Sequence, residues 1–484
     1  MKTYLSSRLP WLFAIAAAAL FPTLRQTVAS DSSYAVVVSQ QTAEDAGWKP
    51  VVEALVLKHQ ALVIPYTDSA EQAKPALRQA FPRYVCFVAR PEEASRAFVG
   101  HVHRVTRQMD ADPYTDCFWG ILTGYDAANA LQIAKQTEPL TIRKVAAGTE
   151  FATTMVDEGV WYCELNQGKM VRKERGRVAA PQRVPEDTTE ALVGALNDYR
   201  PDLFITSGHA TERDWQIGFR YRNGSFRCAD GRLFGLDTRG QRFPVDSSNP
   251  KVYLPVGNCL MGHIDDGNCM ALAWLNSAGV RQMLGYTVPT WYGYMGWGVL
   301  DYFVEQPGRY TFAEAFFANH HALMHRLAMC GSELLDQSGG DTDRRRSPPA
   351  ISDEARAAGL TPADALGLVF DRDVVAFYGD PAWQARLADR PKAYEQALIQ
   401  ADGTYRFEIT PQRGSDSFAP INTNGSQRGG RPFVAFLPQR VTDVRIIEGE
   451  DLRPVITDDF VLVPNPGVCD PAKRYRVVFE ARRL

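Results

Sequence analysis

The sequence predicts an α/β protein in which a mostly parallel sheet, flanked by helices, occupies most of the chain and a β-sandwich ends it. Three observations carry that expectation. Apolar strand-like runs alternate with stretches of helical periodicity up to about residue 390. From about Lys392 a two-residue alternation replaces that texture. The 484 residues are 45% hydrophobic and 23% charged, average usage for a chain that packs a core, and their number calls for more than one domain.

The first residues differ from the rest. Lys2 and Arg8 precede the apolar run from Trp11 to Phe21, and Thr27-Val28-Ala29 supplies small residues for cleavage, the pattern of a secretory signal over residues 1–29. An apolar run of about 11 residues is short of the roughly 20 that a spanning helix needs. The mature chain, starting near Ser30, is therefore expected to have no membrane span and to be secreted, periplasmic or at the cell surface. A net charge of -3 and the lack of a basic stripe argue against nucleic acid as a partner. Eight cysteines are too few for a disulfide scaffold at this length.

A first α/β subdomain is expected over residues 30–148. Its strands are Tyr34 to Val38, Ala61 to Pro65, Tyr84 to Val88 and Phe118 to Leu122. Phe98, Val102, Val105 and Met109 form one stripe of an intervening helix, and Asp126 is placed to cap the next helix. A second subdomain is expected over 149–390, with strands Leu203 to Thr206, Val252 to Val256 and Val280 to Tyr286, and a helix from about Asn268 to Ala278 closed by Gly279. The Gly-, Ser- and Arg-rich stretch between Cys330 and Gly359, including Arg344-Arg345-Arg346, reads as an exposed loop and a candidate processing site. Over 391–484, Tyr405, Phe407 and Ile409 face one way and Arg406 and Glu408 the other. With the runs Phe433 to Leu437, Val444 to Ile447, Phe460 to Val463 and Tyr475 to Phe479, this predicts the sandwich.

Two residues stand where chemistry is expected. His209 follows the strand Phe204-Ile205-Thr206 through Ser207-Gly208, and Cys259 follows Val252 to Val256 through Gly257-Asn258. Loops at the carboxyl ends of such strands are where open α/β sheets bind ligands. An imidazole there can carry protons, and a thiol can act as a nucleophile.

The run Ser207-Gly208-His209-Ala210-Thr211-Glu212-Arg213-Asp214-Trp215 resembles the histidine segment of the gingipain-like cysteine peptidases. Val256-Gly257-Asn258-Cys259-Leu260-Met261-Gly262 is similar to their nucleophile segment. Three further pieces follow in the family's order: Asp112-Pro113-Tyr114 through Gly120 and Asp126, Gly285 to Trp291, and Phe377-Tyr378-Gly379-Asp380-Pro381. The chain departs from the family pattern at Ala210, Asn258 and Ile121, where glycine, alanine and arginine are usual.

The resemblance implies a caspase-like sheet with an immunoglobulin-like module behind it. It also implies a secreted cysteine endopeptidase acting on a protein or peptide substrate, with Cys259 as nucleophile and His209 as proton donor. The N–H groups of Ala210 and Cys259 would form the oxyanion hole, and Trp291 and Tyr292 would wall the substrate pocket. Asp157 and Glu158 are the acids available to face that pocket. The alternative is an inactive homologue that binds or scaffolds at the cell surface.

No cofactor or metal is expected. Cys259, His263 and Cys269 match no zinc spacing, no dense acidic loop demands calcium, and His321 and His325, one helical turn apart, read as a solvated helix face because Ala322 stands where a zinc peptidase has glutamate.

Overall fold

The computed structural model describes residues 33–337 and 347–484. The expected signal segment 1–29 and the arginine run 344–346 lie outside the described residues.

A twelve-stranded sheet runs through the α/β part. Its strands in chain order are β1 (Tyr34–Ser39), β2 (Leu62–Tyr66), β3 (Tyr84–Val88), β4 (Phe118–Leu122), β5 (Lys144–Ala147), β6 (Glu158–Tyr162), β7 (Lys169–Lys173), β8 (Ala180–Arg183), β9 (Leu203–Thr206), β10 (Lys251–Pro255), β11 (Val280–Tyr286) and β12 (Val375–Tyr378). In space they follow the order β2-β1-β3-β4-β12-β11-β10-β9-β5-β6-β7-β8.

Two parallel blocks make up the sheet. In the first, β2-β1-β3-β4, every pairing is parallel. In the second, β6-β5-β9-β10-β11, every pairing is parallel as well. Strand β12 joins them, antiparallel to β11 and touching β4 through the single bridge Tyr378–Ile121. The second block opens with β5, whose first residue Lys144 precedes the expected subdomain boundary at 148. Burial on both faces explains why β9, β10 and β11 read as unbroken runs in the sequence: each of their residues is buried. The expected cap also forms, Asp126 accepting a bond from the Asn129 N–H at the start of helix Ala127–Ala134.

Between β9 and β10 lies a four-stranded antiparallel sheet that the sequence reading did not anticipate: Asp214–Gln216, Ser225–Ala229, Arg232–Leu236 and Arg242–Pro244. The stretch expected as an exposed loop is partly ordered around the core. Leu334 and Ile351 are buried, and Ser352 caps a short helix, Asp353–Ala357.

Two antiparallel sheets form the C-terminal module. One pairs Tyr394–Ala401, Thr404–Pro411, Tyr475–Arg483 and Val441–Glu448, and the other Phe433–Phe436, Phe460–Val463 and Val455–Ile456. Tyr405, Phe407 and Ile409 pack between them with Phe433, Val461 and Phe479. Val434, Phe460 and Leu462 instead join the core of the α/β part. This docking corrects the reading of His321. Helix Phe312–Cys330 is wedged between sheet and module, and the His321 ring stacks on Phe460 at 4.2 Å. Burial there pushes its pKa down to about 3, so the side chain is a neutral core group and not a solvated one. His325 is half-buried on the same helix.

Candidate functional site

Parallel pairing of β9 with β10 sets Thr206 opposite Pro255, so both chains leave the sheet at the same edge. His209 lies three residues beyond Thr206, and Cys259 four beyond Pro255. The backbone before His209 turns at Gly208, φ +94°, a conformation that favours glycine. After Cys259 it turns at Leu260, which holds φ +55° despite its side chain. Such left-handed residues persist only where their surroundings over-determine them.

Those surroundings are two clamps. Asn258 is fully buried; its Oδ1 accepts from Thr206 Oγ1 at 2.6 Å and its Nδ2 donates to Gly208 O at 3.1 Å, tying the cysteine segment to the histidine segment. Farther out, the histidine segment folds back as a hairpin, Gln216 N–H donating to His209 O at 2.9 Å and Thr211 N–H to Asp214 O at 2.8 Å. Its tip residue Arg213 grips both oxygens of Asp265, at 2.8 and 2.6 Å, and the carbonyl of Asn268, on the loop that follows Cys259. Trp215, wholly buried, anchors the hairpin by donating from Nε1 to Ser207 O at 2.7 Å. The departure at Asn258 is therefore a structural bond between the two segments. At Ala210, φ is not positive, so the methyl group meets no backbone penalty.

Cys259 is a half-buried free thiol, and Thr290 N–H donates to its sulfur at 3.2 Å. Thr290 Oγ1 also donates to Asn258 O, and Leu260 N–H to Val288 O, so the loop leaving β11 is bonded along the cysteine segment. Gly262 and Gly285 make this contact possible: a Cβ on Gly262 would sit 2.2 Å from the Gly285 carbonyl oxygen. Trp291, next along that loop, is 48% exposed, whereas the Tyr292 ring turns inward between Tyr294 and Phe370.

The His209 ring stacks on Phe219 at 4.7 Å and borders a polar cleft of about 430 Å³, which Asp214, Gln216, Arg222 and Arg227 also line. Cys259 does not line that cleft, and among the described residues no hydrogen bond joins the imidazole to the sulfur. The N–H groups of Ala210 and Cys259 donate to no described residue.

Asp157 and Glu158 are not brought to this edge. They stand at the amino end of β6, across the sheet, because β6, β5 and β9 are parallel. There Asp157 pairs with Arg143 and Arg390, and Glu158 with Arg175. A different acid sits at the carboxyl edge. Glu164, just beyond β6, is 7% exposed, and its Oε2 has no hydrogen-bond partner. Burial pushes its pKa up to about 7, against the side chains of Thr149, Asn424 and Ser207, which favour the charged form; the nearby charge of Glu150 pushes it further up. Its carbonyl accepts from Phe219 N–H at 2.7 Å, so the residue also supports the ring on which His209 stacks. The available signal was an acid directly after the apolar run Val160-Trp161-Tyr162-Cys163.

Two other groups have metal-ligating chemistry. His103, His320 and Asp373 meet in the core, but Asp373 is already paired with Arg107 and Arg372, which hold its carboxyl below the usual range, and both His320 nitrogens are bonded. Asp110, Asp112 and Asp116 bring their carboxylates together where the module docks, and burial raises the pKa of both Asp112 and Asp116.

No model of a known protein family matches the chain, and no curated protein matches it. A solved structure described as "Structure of Protease" aligns with 93% of this chain and 97% of its own, at 10% identity and a TM-score of 0.39.

Proposed function

We propose that this chain is a secreted cysteine endopeptidase of the gingipain-like, caspase-fold type, with Cys259 as nucleophile and His209 as its proton carrier. One observation carries the reading: His209 and Cys259 leave adjacent parallel strands at one carboxyl edge, and Asn258 bonds the two segments together. The second block supports the caspase-like reading, since its own order is 2-1-3-4-5 with an antiparallel strand closing it, and ligands bind where such an order reverses. The two-sheet module fits the immunoglobulin-like expectation.

In this reaction the Cys259 thiolate adds to the scissile carbonyl carbon, forming the C–S bond. The oxyanion takes the N–H groups of Ala210 and Cys259, which have no described partner. As the C–N bond breaks, imidazolium His209 gives its proton to the leaving amine. Water then attacks the thioester, returning a proton to His209 and releasing Cys259. A substrate lies between the two residues, so proton delivery to its nitrogen requires no direct bond from imidazole to sulfur. Trp291 walls the pocket, and Glu164, in place of Asp157 or Glu158, is the acid that meets a cationic side chain.

Peptidyl chloromethyl and acyloxymethyl ketones with differing P1 residues test this. Covalent mass should appear on Cys259 in the wild type and vanish in Cys259→Ala, with lysyl or arginyl reagents fastest. Failure of all reagents to modify Cys259 would sink the proposal and leave the binding or scaffold alternative.

A further inference from the structure

The loop that follows β11 touches Cys259, and a single carboxylate holds both of its ends. Register sets Val375 of β12 opposite Tyr286 of β11, so the residues just before β12 lie beside the start of the loop, residues 287–293. Asp371, the last residue of helix Pro362–Asp371, arrives there wholly buried. Its Oδ2 accepts from the Tyr286 hydroxyl at 2.9 Å, from Tyr294 N–H at 2.7 Å and from Met295 N–H at 3.4 Å. Tyr286 ends the strand, and Tyr294 begins helix Tyr294–Phe303, whose cap residue Gly293 has no side chain to offer. Thr287 adds to the first pin, its N–H and hydroxyl both donating to Val374 O, at 2.8 and 2.9 Å.

Between the pins, Thr290 N–H donates to the Cys259 sulfur at 3.2 Å and Thr290 Oγ1 to Asn258 O at 3.2 Å. Beyond the second pin the helix packs on the end of the cysteine strand, where Gly296 leaves no room for a Cβ against Val256 O. Asp371 itself keeps an unmet demand: its Oδ1 is buried without a hydrogen-bond partner. Such an oxygen costs stability, and a neutral serine or asparagine suffices to cap a helix. What the carboxylate adds is one oxygen that gathers three donors from both sides of the loop.

We propose that Asp371 is the positioning residue of the nucleophile: by fixing both ends of the 287–293 loop it holds the Thr290 N–H on the Cys259 sulfur, where that bond favours the thiolate. This rests on the reading of Cys259 as nucleophile. A hydrogen bond to the charged form of a group favours that form, and the thiolate is the form that attacks. Asp371 touches neither sulfur nor substrate, so its influence passes through the loop. Acting through charge alone, a carboxylate disfavours a thiolate, and its removal would make the thiol easier to ionise. Positioning therefore predicts the opposite sign to electrostatics.

Alkylation of the full chain by iodoacetamide across pH, with Cys259 followed by peptide mass spectrometry, tests this. In Asp371→Ala the profile should move to higher pH by about one unit, a tenfold loss of thiolate for one missing hydrogen bond to a charged group. Asp371→Asn, which retains an acceptor oxygen, should restore the wild-type profile. Thr290→Pro, which lacks the N–H, should show the same displacement as Asp371→Ala, and combining the two should add nothing further. Tyr286→Phe, which removes one donor and keeps the ring, should move the profile the same way by less, and carries the test if Asp371→Ala does not fold. An unchanged profile in Asp371→Ala or Tyr286→Phe, a move to lower pH, or additive effects in the double variant would overturn the proposal. Failure of the peptidase reading would appear separately, as ketones that leave Cys259 unmodified in a protein whose iodoacetamide profile still responds to Asp371.

Discussion

The two parallel blocks of the sheet share a winding order but differ in how their carboxyl edges are finished. In the first, Glu93 stands near the ends of β1 and β3 with its oxygens occupied: Ser39 and Thr42 donate their hydroxyls to it, and Arg90 its backbone N–H at 2.8 Å. In the second, Glu164 occupies a corresponding place among the residues after β5, β6 and β9, with Oε2 unbonded and Thr149 Oγ1 likewise. The two edges differ at their acid: Glu93 is bonded at both oxygens, whereas Glu164 keeps one unbonded, although Arg90 Nε and Thr123 Oγ1 at the first edge also go without a hydrogen bond. Unmet bonding capacity in a buried edge costs stability, and function is a reason to retain it.

The largest effect that would sharpen this contrast concerns Asn258. Asn258→Ala removes both bonds between the histidine and cysteine segments and leaves Thr206 and Gly208 without their partner. Peptide hydrolysis, read as kcat/KM, should fall about 100-fold, as expected when catalytic groups shift by an ångström. Thermal unfolding should show a loss of about 1–3 kcal/mol. Near-wild-type kinetics would remove the clamp from the account. Gly208→Ala comes next. A Cβ there has room, its nearest neighbour lying 3.7 Å away, so the cost is the left-handed backbone alone, about 1–2 kcal/mol. Activity should drop about tenfold if the turn aims the imidazole, whereas an unchanged rate would separate that turn from the chemistry.

The sheet was legible in the sequence because strands buried on both faces become apolar runs; β3, β4 and β11 begin and end where those runs do. The four-stranded sheet over 214–244 was not, since its short strands mix buried and exposed residues and carry no long run. His209 and Cys259 were legible as strand-end residues followed by recognisable neighbours. Glu164 was not, because its raised pKa comes from burial that only the fold produces, as do the neighbouring side chains of Thr149, Ser207 and Asn424 that oppose it. For the same reason Asn258 read as a mere departure from a pattern, and His321 as a solvated residue, until the docked module supplied Phe460.

A smaller effect separates the two glutamates by pH. Burial raises the folded-state pKa of Glu164 from 4.5 to about 7. The protonated fold is thus favoured; stability from this group is present below pH 4.5 and is lost as pH rises to 7, reaching about 3 kcal/mol. Glu164→Gln abolishes that dependence, so its melting temperature should gain on wild type between pH 5 and pH 8. A constant difference across that range would contradict the buried-carboxyl description. The smallest expected change in activity is at the first block: Glu93→Gln should cost about 1 kcal/mol of stability through weakened hydroxyl bonds and leave kcat/KM unaltered. A marked kinetic defect there would erase the distinction between the two edges.

The central claim is that the second block's carboxyl edge carries a nucleophile served by His209, and the most direct measurement is intact-protein and peptide mass spectrometry after exposure to an arginyl chloromethyl ketone. The account predicts one adduct on Cys259, much slower in His209→Ala and absent in Cys259→Ala. Modification that ignores His209, or that falls equally on the seven other cysteines, would contradict it.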